Sequence, residues 1–258
     1  MIDSHCHLDA PEFDGDRLAV LQRARAAGVT GLVVPAVARE GWAALAELAA
    51  TETGVFPAYG LHPMFLDRHR PDDLQALEDW LDQYPAVAVG EAGLDGYVTD
   101  LDWDLQCRYF EGQLRIARDR DLPVILHARR AHEAVLLAVR RQAPLRGVIH
   151  SYAGSLEQAR QFIDAGFLLG FGGPITYPRA RRLRALVSDL PVEALLLETD
   201  APDQPLLGHQ GARNEPAQLA SVLACAAQLR DCDPLWLADQ TSANARQLFG
   251  LPSSRLSR

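Results

Sequence analysis

Gly31-Leu32-Val33-Val34-Pro35-Ala36-Val37, with a helical stretch over residues 40–53 behind it, is the pattern on which the fold turns. A short apolar, valine-rich run that opens at glycine predicts a buried strand, and the longer alanine- and leucine-rich stretch predicts a helix. Together they make one βα unit, and the unit repeats. Upstream, the chain opens with a strand in Met1-Ile2-Asp3-Ser4-His5-Cys6-His7-Leu8-Asp9, and residues 14–27 carry Leu18, Leu21 and Ala24 at helical spacing before Gly28 stops the helix. Downstream, strands are expected at residues 55–61, 86–90, 123–127, 147–150, 167–171 and 194–197, with helices at 71–83, 105–120, 131–142, 155–165 and 179–188. Eight near-continuous apolar strands, covered on both faces, fit an α/β fold of the (β/α)8 TIM-barrel kind better than a doubly wound sheet. Residues 214–229 and 234–249 supply the last barrel helix and an extra C-terminal helix, and no linker or internal repeat divides residues 1–258, so a single domain is expected.

Composition narrows the function. With 48% hydrophobic and 23% charged residues the chain has the make-up of a soluble globular protein. Its net charge of −9 argues against a broad basic footprint for duplex nucleic acid. All 25 basic residues are arginine, so chemistry that needs lysine, including a carboxylated lysine bridging two metals, is excluded. Cys6, Cys107, Cys225 and Cys232 are widely spaced and form no Cys-x-x-Cys pair, which points to a reducing compartment. There is no signal-peptide pattern at the N-terminus and no uncharged apolar run long enough to span a membrane, so a cytoplasmic location without an obligate protein partner is expected.

The polar residues fall at the strand ends. Strand alternation turns His5 and His7 to one side and Cys6 to the other. His62, Glu91, His127, His150 and Asp200 follow the later apolar runs, and in a barrel those ends meet on one face. Singly, a histidine there is ordinarily a satisfied core residue and an aspartate a turn cap; a carboxylate such as Glu91 on a buried strand is costly unless paired or coordinated. Jointly, His5, His7, Glu91, His127, His150 and Asp200 make a ligand set larger than one tetrahedral zinc needs. Two divalent cations about 3.5–4 Å apart, with Glu91 as the bridging carboxylate, fit that set; Mg, Mn and Zn are all admissible with mixed nitrogen and oxygen donors.

These residues lie in segments that resemble the TatD-type metal-dependent deoxyribonucleases, a branch of the amidohydrolase-like barrels. The segments are Asp3-Ser4-His5-Cys6-His7, Gly60-Leu61-His62-Pro63, Gly90-Glu91-Ala92-Gly93-Leu94-Asp95, His127-Ala128-Arg129, His150-Ser151-Tyr152-Ala153-Gly154, Gly170-Phe171-Gly172-Gly173, Glu198-Thr199-Asp200-Ala201-Pro202 and Arg213-Asn214-Glu215-Pro216. The resemblance implies that His5, His7 and Asp200 hold one metal, His127 and His150 the other, and that Glu91 bridges them. Ala92, Gly96, Ala128 and Asp203 depart from the family's usual residues, and Asp203-Gln204-Pro205 looks like a YjjV-like branch; these departures leave the ligands intact and bear on substrate preference.

The expected activity is hydrolysis of phosphodiester bonds, as a deoxyribonuclease acting on DNA ends or single strands, with Asp200 as general base to a metal-activated water. A small ester, lactone or amide is the alternative substrate, and a barrel without turnover a third reading. His62 either orients the substrate phosphate or locks the turn before Pro63. Arg129, two residues past His127, is a candidate phosphate clamp, and Arg213 a candidate substrate contact. Arg179, Arg181, Arg182 and Arg184 open a helix and either meet nucleic acid or form a solvated face. Tyr97, Trp103 and Tyr152 either stack on bases or anchor loops, and Ser155 with Gln158 forms a capping box.

Overall fold

A computed structural model describes residues 1–252; the last six residues of the expected domain 1–258 lie outside the described residues. Eight parallel strands follow one another around a sheet in sequence order: β1 Ile2–Asp3, β2 Gly31–Pro35, β3 Val55–Tyr59, β4 Ala88–Asp95, β5 Val124–Arg129, β6 Gly147–Ile149, β7 Phe167–Phe171 and β8 Leu195–Leu197. The helices are α1 Arg17–Ala26, α2 Trp42–Thr51, α3 Asp73–Leu81, α4 Trp103–Asp119, α5 His132–Arg141, α6 Leu156–Asp164, α7 Arg181–Asp189, α8 Leu219–Arg230 and α9 Pro234–Phe249. The sheet curls into a nearly closed barrel. At the seam the Ser4 N–H donates to Leu197 O (3.0 Å) and the Asp200 N–H to His5 O (2.9 Å).

Side-chain alternation accounts for the two layers of the core. Ile2, Val33, Ala58, Ala88, Ile125, Val148 and Leu196 point inward, while neighbours such as Leu32, Val34, Leu126 and Leu197 point out to helix residues such as Leu21, Leu45 and Val135. The inward layer packs on Ala245, Leu248, Phe249 and Leu251, so α9, the helix in excess of the barrel count, plugs the floor of the barrel opposite the strand ends.

The first strand is shorter than expected. It ends at Asp3, because Ser4 to His7 no longer bond in a regular ladder: the Cys6 N–H goes to Val33 O (3.1 Å) and the His7 N–H to Ala201 O (2.7 Å). The chain there still alternates between its two neighbours, and the convergence of His5 and His7 survives. β4 is longer than expected and runs beyond Glu91 to Asp95. Gly93 makes this possible: at φ +149 it approaches β5 so closely that a Cβ would sit 2.0 Å from His127 O. The arginine-rich helix begins at Arg181, two residues later than expected. Arg179 instead lies over the Tyr177 ring (5.5 Å), while Arg182 donates to Ala153 O and Arg184 to Ile175 O. The Ser155 and Gln158 capping box is present at the start of α6.

Candidate metal centre

The strand ends place four histidines and two carboxylates around one buried point. Glu91, 1% exposed on β4, is its centre. Its Oε1 lies 2.8 Å from His150 Nε2, 2.8 Å from His62 Nε2 and 3.2 Å from His127 Nδ1; its Oε2 lies 3.1 Å from His5 Nε2 and 3.4 Å from His7 Nε2. The Asp200 carboxylate closes the far side, with Oδ1 3.5 Å from His5 Nε2 and 3.7 Å from His7 Nε2. Three overlapping donor groups result: His5, His7 and Asp200; His5, Glu91 and His150; and His62, Glu91 and His127. All six expected ligands are therefore brought together, and His62 joins them.

On two of the rings, His7 and His127, hydrogen bonds to the outside set which nitrogen turns inward. His7 Nδ1 faces Pro35 O at 3.1 Å, and because a carbonyl only accepts, Nδ1 carries the proton and Nε2 presents a lone pair. On His127 the roles are swapped: Nε2–H donates to Asp95 Oδ2 (2.9 Å), and Nδ1 presents the lone pair. Those lone pairs face carboxylate oxygens and each other's neighbours: His5 Nε2 and His7 Nε2 are 3.2 Å apart, His127 Nδ1 and His150 Nε2 3.4 Å. Glu91 Oε2, although close to two imidazoles, has no hydrogen bond, and His5 Nδ1 and His150 Nδ1 are likewise buried without one. An inward ring of lone pairs and carboxylate oxygens is stable only with positive charge at its centre, supplied by protons or by cations. The donor set, mixed imidazole and carboxylate with orienting partners behind, fits divalent metal ions.

The titration behaviour carries the same message. Burial lowers His7, but the hydrogen bond and charge of Glu91 outweigh it and hold the ring up at about 9. Burial would raise Glu91, yet the imidazoles of His150, His62 and His5 pull it well below the usual carboxylate range. Burial pushes Asp200 up to about 6 against the pull of His150 and His7. His62 is different, since burial presses it down to about 4. Its Nδ1 accepts the Met64 N–H (3.1 Å), so Nε2–H is the donor to Glu91 Oε1. In this neutral form it locks the turn into Pro63 and at the same time hydrogen-bonds the central carboxylate.

Three supporting residues were not read from the sequence. Asp95 holds His127 and also accepts the N–H groups of Tyr97 (2.8 Å) and Val98 (3.0 Å). Glu198, fully buried, accepts the Ser151 N–H (2.6 Å) and lies 3.8 Å from His150 Nδ1. The space it occupies exists because residue 170 is glycine, where a Cβ would meet Glu198 Oε2 at 2.1 Å. Gln204 Nε2–H donates to Asp200 Oδ2 at 2.5 Å and bonds Ser151 Oγ.

The expected substrate contacts divide. Arg129 is exposed at the end of β5, with its guanidinium carbon 3.7 Å from the centroid of the Tyr97 ring. Arg213 is not brought to the cluster by any bond: it grips both oxygens of Asp16 (2.7 and 2.9 Å) and Glu12 O, and packs on Phe13. Tyr152 is buried, donating its hydroxyl to Ser155 O, and serves as a loop anchor, whereas Tyr97 and Trp103 remain 48% and 41% exposed.

Comparison with known proteins agrees with this geometry. The family model described as TatD related DNase matches residues 2–250. The metal-dependent hydrolase YjjV of Escherichia coli (strain K12) is 44% identical over 254 residues, covering 97% of this chain and 98% of that protein. A protein of Citrobacter koseri named 3'-5' ssDNA/RNA exonuclease TatD is 35% identical, covering 97% and 99%. The crystal structure of the E. coli YjjV superposes with a TM-score of 0.94 at 43% identity, covering 98% of each chain.

Proposed function

The chain belongs to the TatD-related DNase family of metal-dependent hydrolases, and from that premise we propose that it cleaves phosphodiester bonds in nucleic acid, as a deoxyribonuclease acting on DNA ends or single strands. The observation that carries the proposal is the convergence of His5, His7, Glu91, His127, His150 and Asp200 on one buried point at the strand ends. In this reading His5, His7 and Asp200 would hold one divalent cation, His127 and His150 the second, and Glu91 would serve both. Bound there, the pair would polarise a phosphoryl oxygen and make a water acidic enough to attack at neutral pH.

The chain's own groups do the rest. Asp200, pushed up to about 6, is ionised at neutral pH yet basic enough to take a proton from the attacking water. Gln204 and the Asp200 N–H bond to His5 O fix the direction of that carboxylate. His62, neutral and with both ring nitrogens engaged, by the Met64 N–H and by Glu91, orients the carboxylate. Arg129 supplies a guanidinium at the mouth for a phosphate oxygen. Residues 1–258 act as one hydrolase domain in this proposal. The four cysteines are free, which supports a reducing, cytoplasmic setting, and among the described residues no helix is long and apolar enough to cross a membrane.

A fluorescent single-stranded oligonucleotide incubated with Mg²⁺, Mn²⁺ or Zn²⁺ tests the proposal. Cleavage that is lost in Asp200→Asn is expected. No cleavage with any of the metals, or equal cleavage by the variant, defeats it, and a parallel panel of small esters, lactones and amides shows where the activity lies instead.

A further inference from the structure

Among the described residues, two arginines at the mouth of the barrel have no acidic partner. Many surface arginines, among them Arg23, Arg39, Arg146 and Arg213, are paired with a carboxylate, whereas others, such as Arg182, Arg184 and Arg230, bond backbone carbonyls. Arg129 and Arg130 are exposed, and among the described residues neither guanidinium makes a hydrogen bond or an ion pair. Both instead lie against the ring of Tyr97, with guanidinium carbons 3.7 Å and 4.7 Å from its centroid. Tyr97 is still 48% exposed.

This stack is tied to the catalytic cluster by one carboxylate. Asp95 Oδ1 accepts the N–H groups of Tyr97 and Val98, while its Oδ2 accepts His127 Nε2–H. Arg129 is also two residues beyond His127 on β5, roughly 7 Å along the strand at about 3.3 Å per residue, a span on the scale of one nucleotide. An exposed aromatic ring beside unneutralised guanidiniums is the combination that takes a base face and a phosphate together, and it requires a strand whose bases are unpaired. The guanidiniums are already ordered on the ring, so little side-chain freedom is lost when they bind.

Building on the nuclease reading above, we propose that Tyr97, Arg129 and Arg130 form a subsite for the nucleotide adjoining the scissile phosphate of a single-stranded nucleic acid. The base stacks on the tyrosine and guanidinium pile, and the guanidinium N–H groups, which have no protein acceptor, go to phosphate oxygens. The subsite selects single strands over duplexes because a paired base offers no free face.

The test is binding of a labelled phosphorothioate oligonucleotide, which resists cleavage, in Mn²⁺ across a salt series. Fluorescence anisotropy is read for the full chain, for Tyr97→Leu, Arg129→Ala and Arg130→Ala, and for Arg160→Ala on the exposed side of α6 as a control. Each of the first three is expected to weaken binding roughly tenfold. Each of the two arginine variants also lowers the slope of log affinity against log salt by about 0.7, whereas Tyr97→Leu keeps the full slope. Affinities equal to that of the unmodified chain in all three, no binding by the unmodified chain, or binding as tight to duplex as to single strand overturns the subsite. The expected binding pattern with no cleavage of an ordinary oligonucleotide in any metal defeats the nuclease reading and leaves the subsite standing; cleavage with unaltered affinities does the reverse.

Discussion

Replacing Asp95 by asparagine tests whether the proposed metal ligands depend on their outer partners. The change keeps the side chain's size and its acceptor for the Tyr97 and Val98 N–H groups, which lie 2.8 Å and 3.0 Å from Oδ1. What it alters is the group facing His127 Nε2, 2.9 Å away, from an oxygen that can only accept to an amide that donates. The imidazole must then move its proton from Nε2 to Nδ1, the nitrogen that lies 3.2 Å from Glu91 Oε1 and that would face a cation. A protonated nitrogen is no ligand. The cost is that of restoring the other tautomer against an opposed amide, and losses of about 10- to 100-fold in metal affinity are usual when such partners are removed. That corresponds to roughly 1.4–2.8 kcal/mol. Calorimetric titration of metal into chelator-treated Asp95→Asn protein measures it directly, alongside the unmodified chain. An affinity within twofold of the unmodified protein refutes the reasoning, because the His127 tautomer would then not be set by Asp95.

Other perturbations probe the scaffold. Gly170→Ala puts a methyl 2.1 Å from Glu198 Oε2, so overpacking should lower the unfolding free energy by about 1–3 kcal/mol in urea titrations and displace Glu198 from beside His150. Phe249→Ala empties the plug under the barrel, where Phe249 is 4% exposed against the inward strand residues, and should cost about 3–5 kcal/mol in the same assay. The Asp16 carboxylate, bonded by Arg213 and Arg23, is held down at about 2, below its ordinary value near 4. A depressed acid stabilises the fold above its unfolded pKa and loses that contribution as pH falls through the folded value. The difference in melting temperature between the unmodified chain and Asp16→Asn should therefore be full at pH 5 and above and shrink as pH drops toward 2; a difference that is constant with pH argues that the carboxylate's charge is not what the arginines hold.

The barrel and the convergence of its candidate ligands were legible in the sequence because both rest on repetition. Apolar runs such as Val124 to Leu126, each short and followed by a helical stretch, fit strands covered on both sides, and the polar residue after each run marks the same face. The inference about His5 and His7 reached the right end by an incomplete route, since the regular strand stops at Asp3 and it is irregular bonding to Val33 and Ala201 that keeps the rings together. Asp95 was missed although alternation offered a signal: it shares the face of Glu91 four positions earlier, which becomes useful only once β4 is known to run on to Asp95. Glu198 lies past the end of β8 at Leu197, where alternation gives no guide. Gln204 and the pairing of Arg213 with Asp16 arise from loops that fold back, and no local periodicity encodes a contact across 197 positions.

The seam between Ser4 and Leu197 has a bearing on synthesis. A ribosome delivers His5 and His7 long before Asp200, and the bond that joins the two edges of the sheet spans 193 positions. Until that last strand emerges the early edge has no mate, so the nascent chain carries an open rim through most of translation, with Glu91 and its imidazoles already made but Asp200 still missing. Completion of the donor group of His5, His7 and Asp200 is thereby tied to the moment the ring shuts.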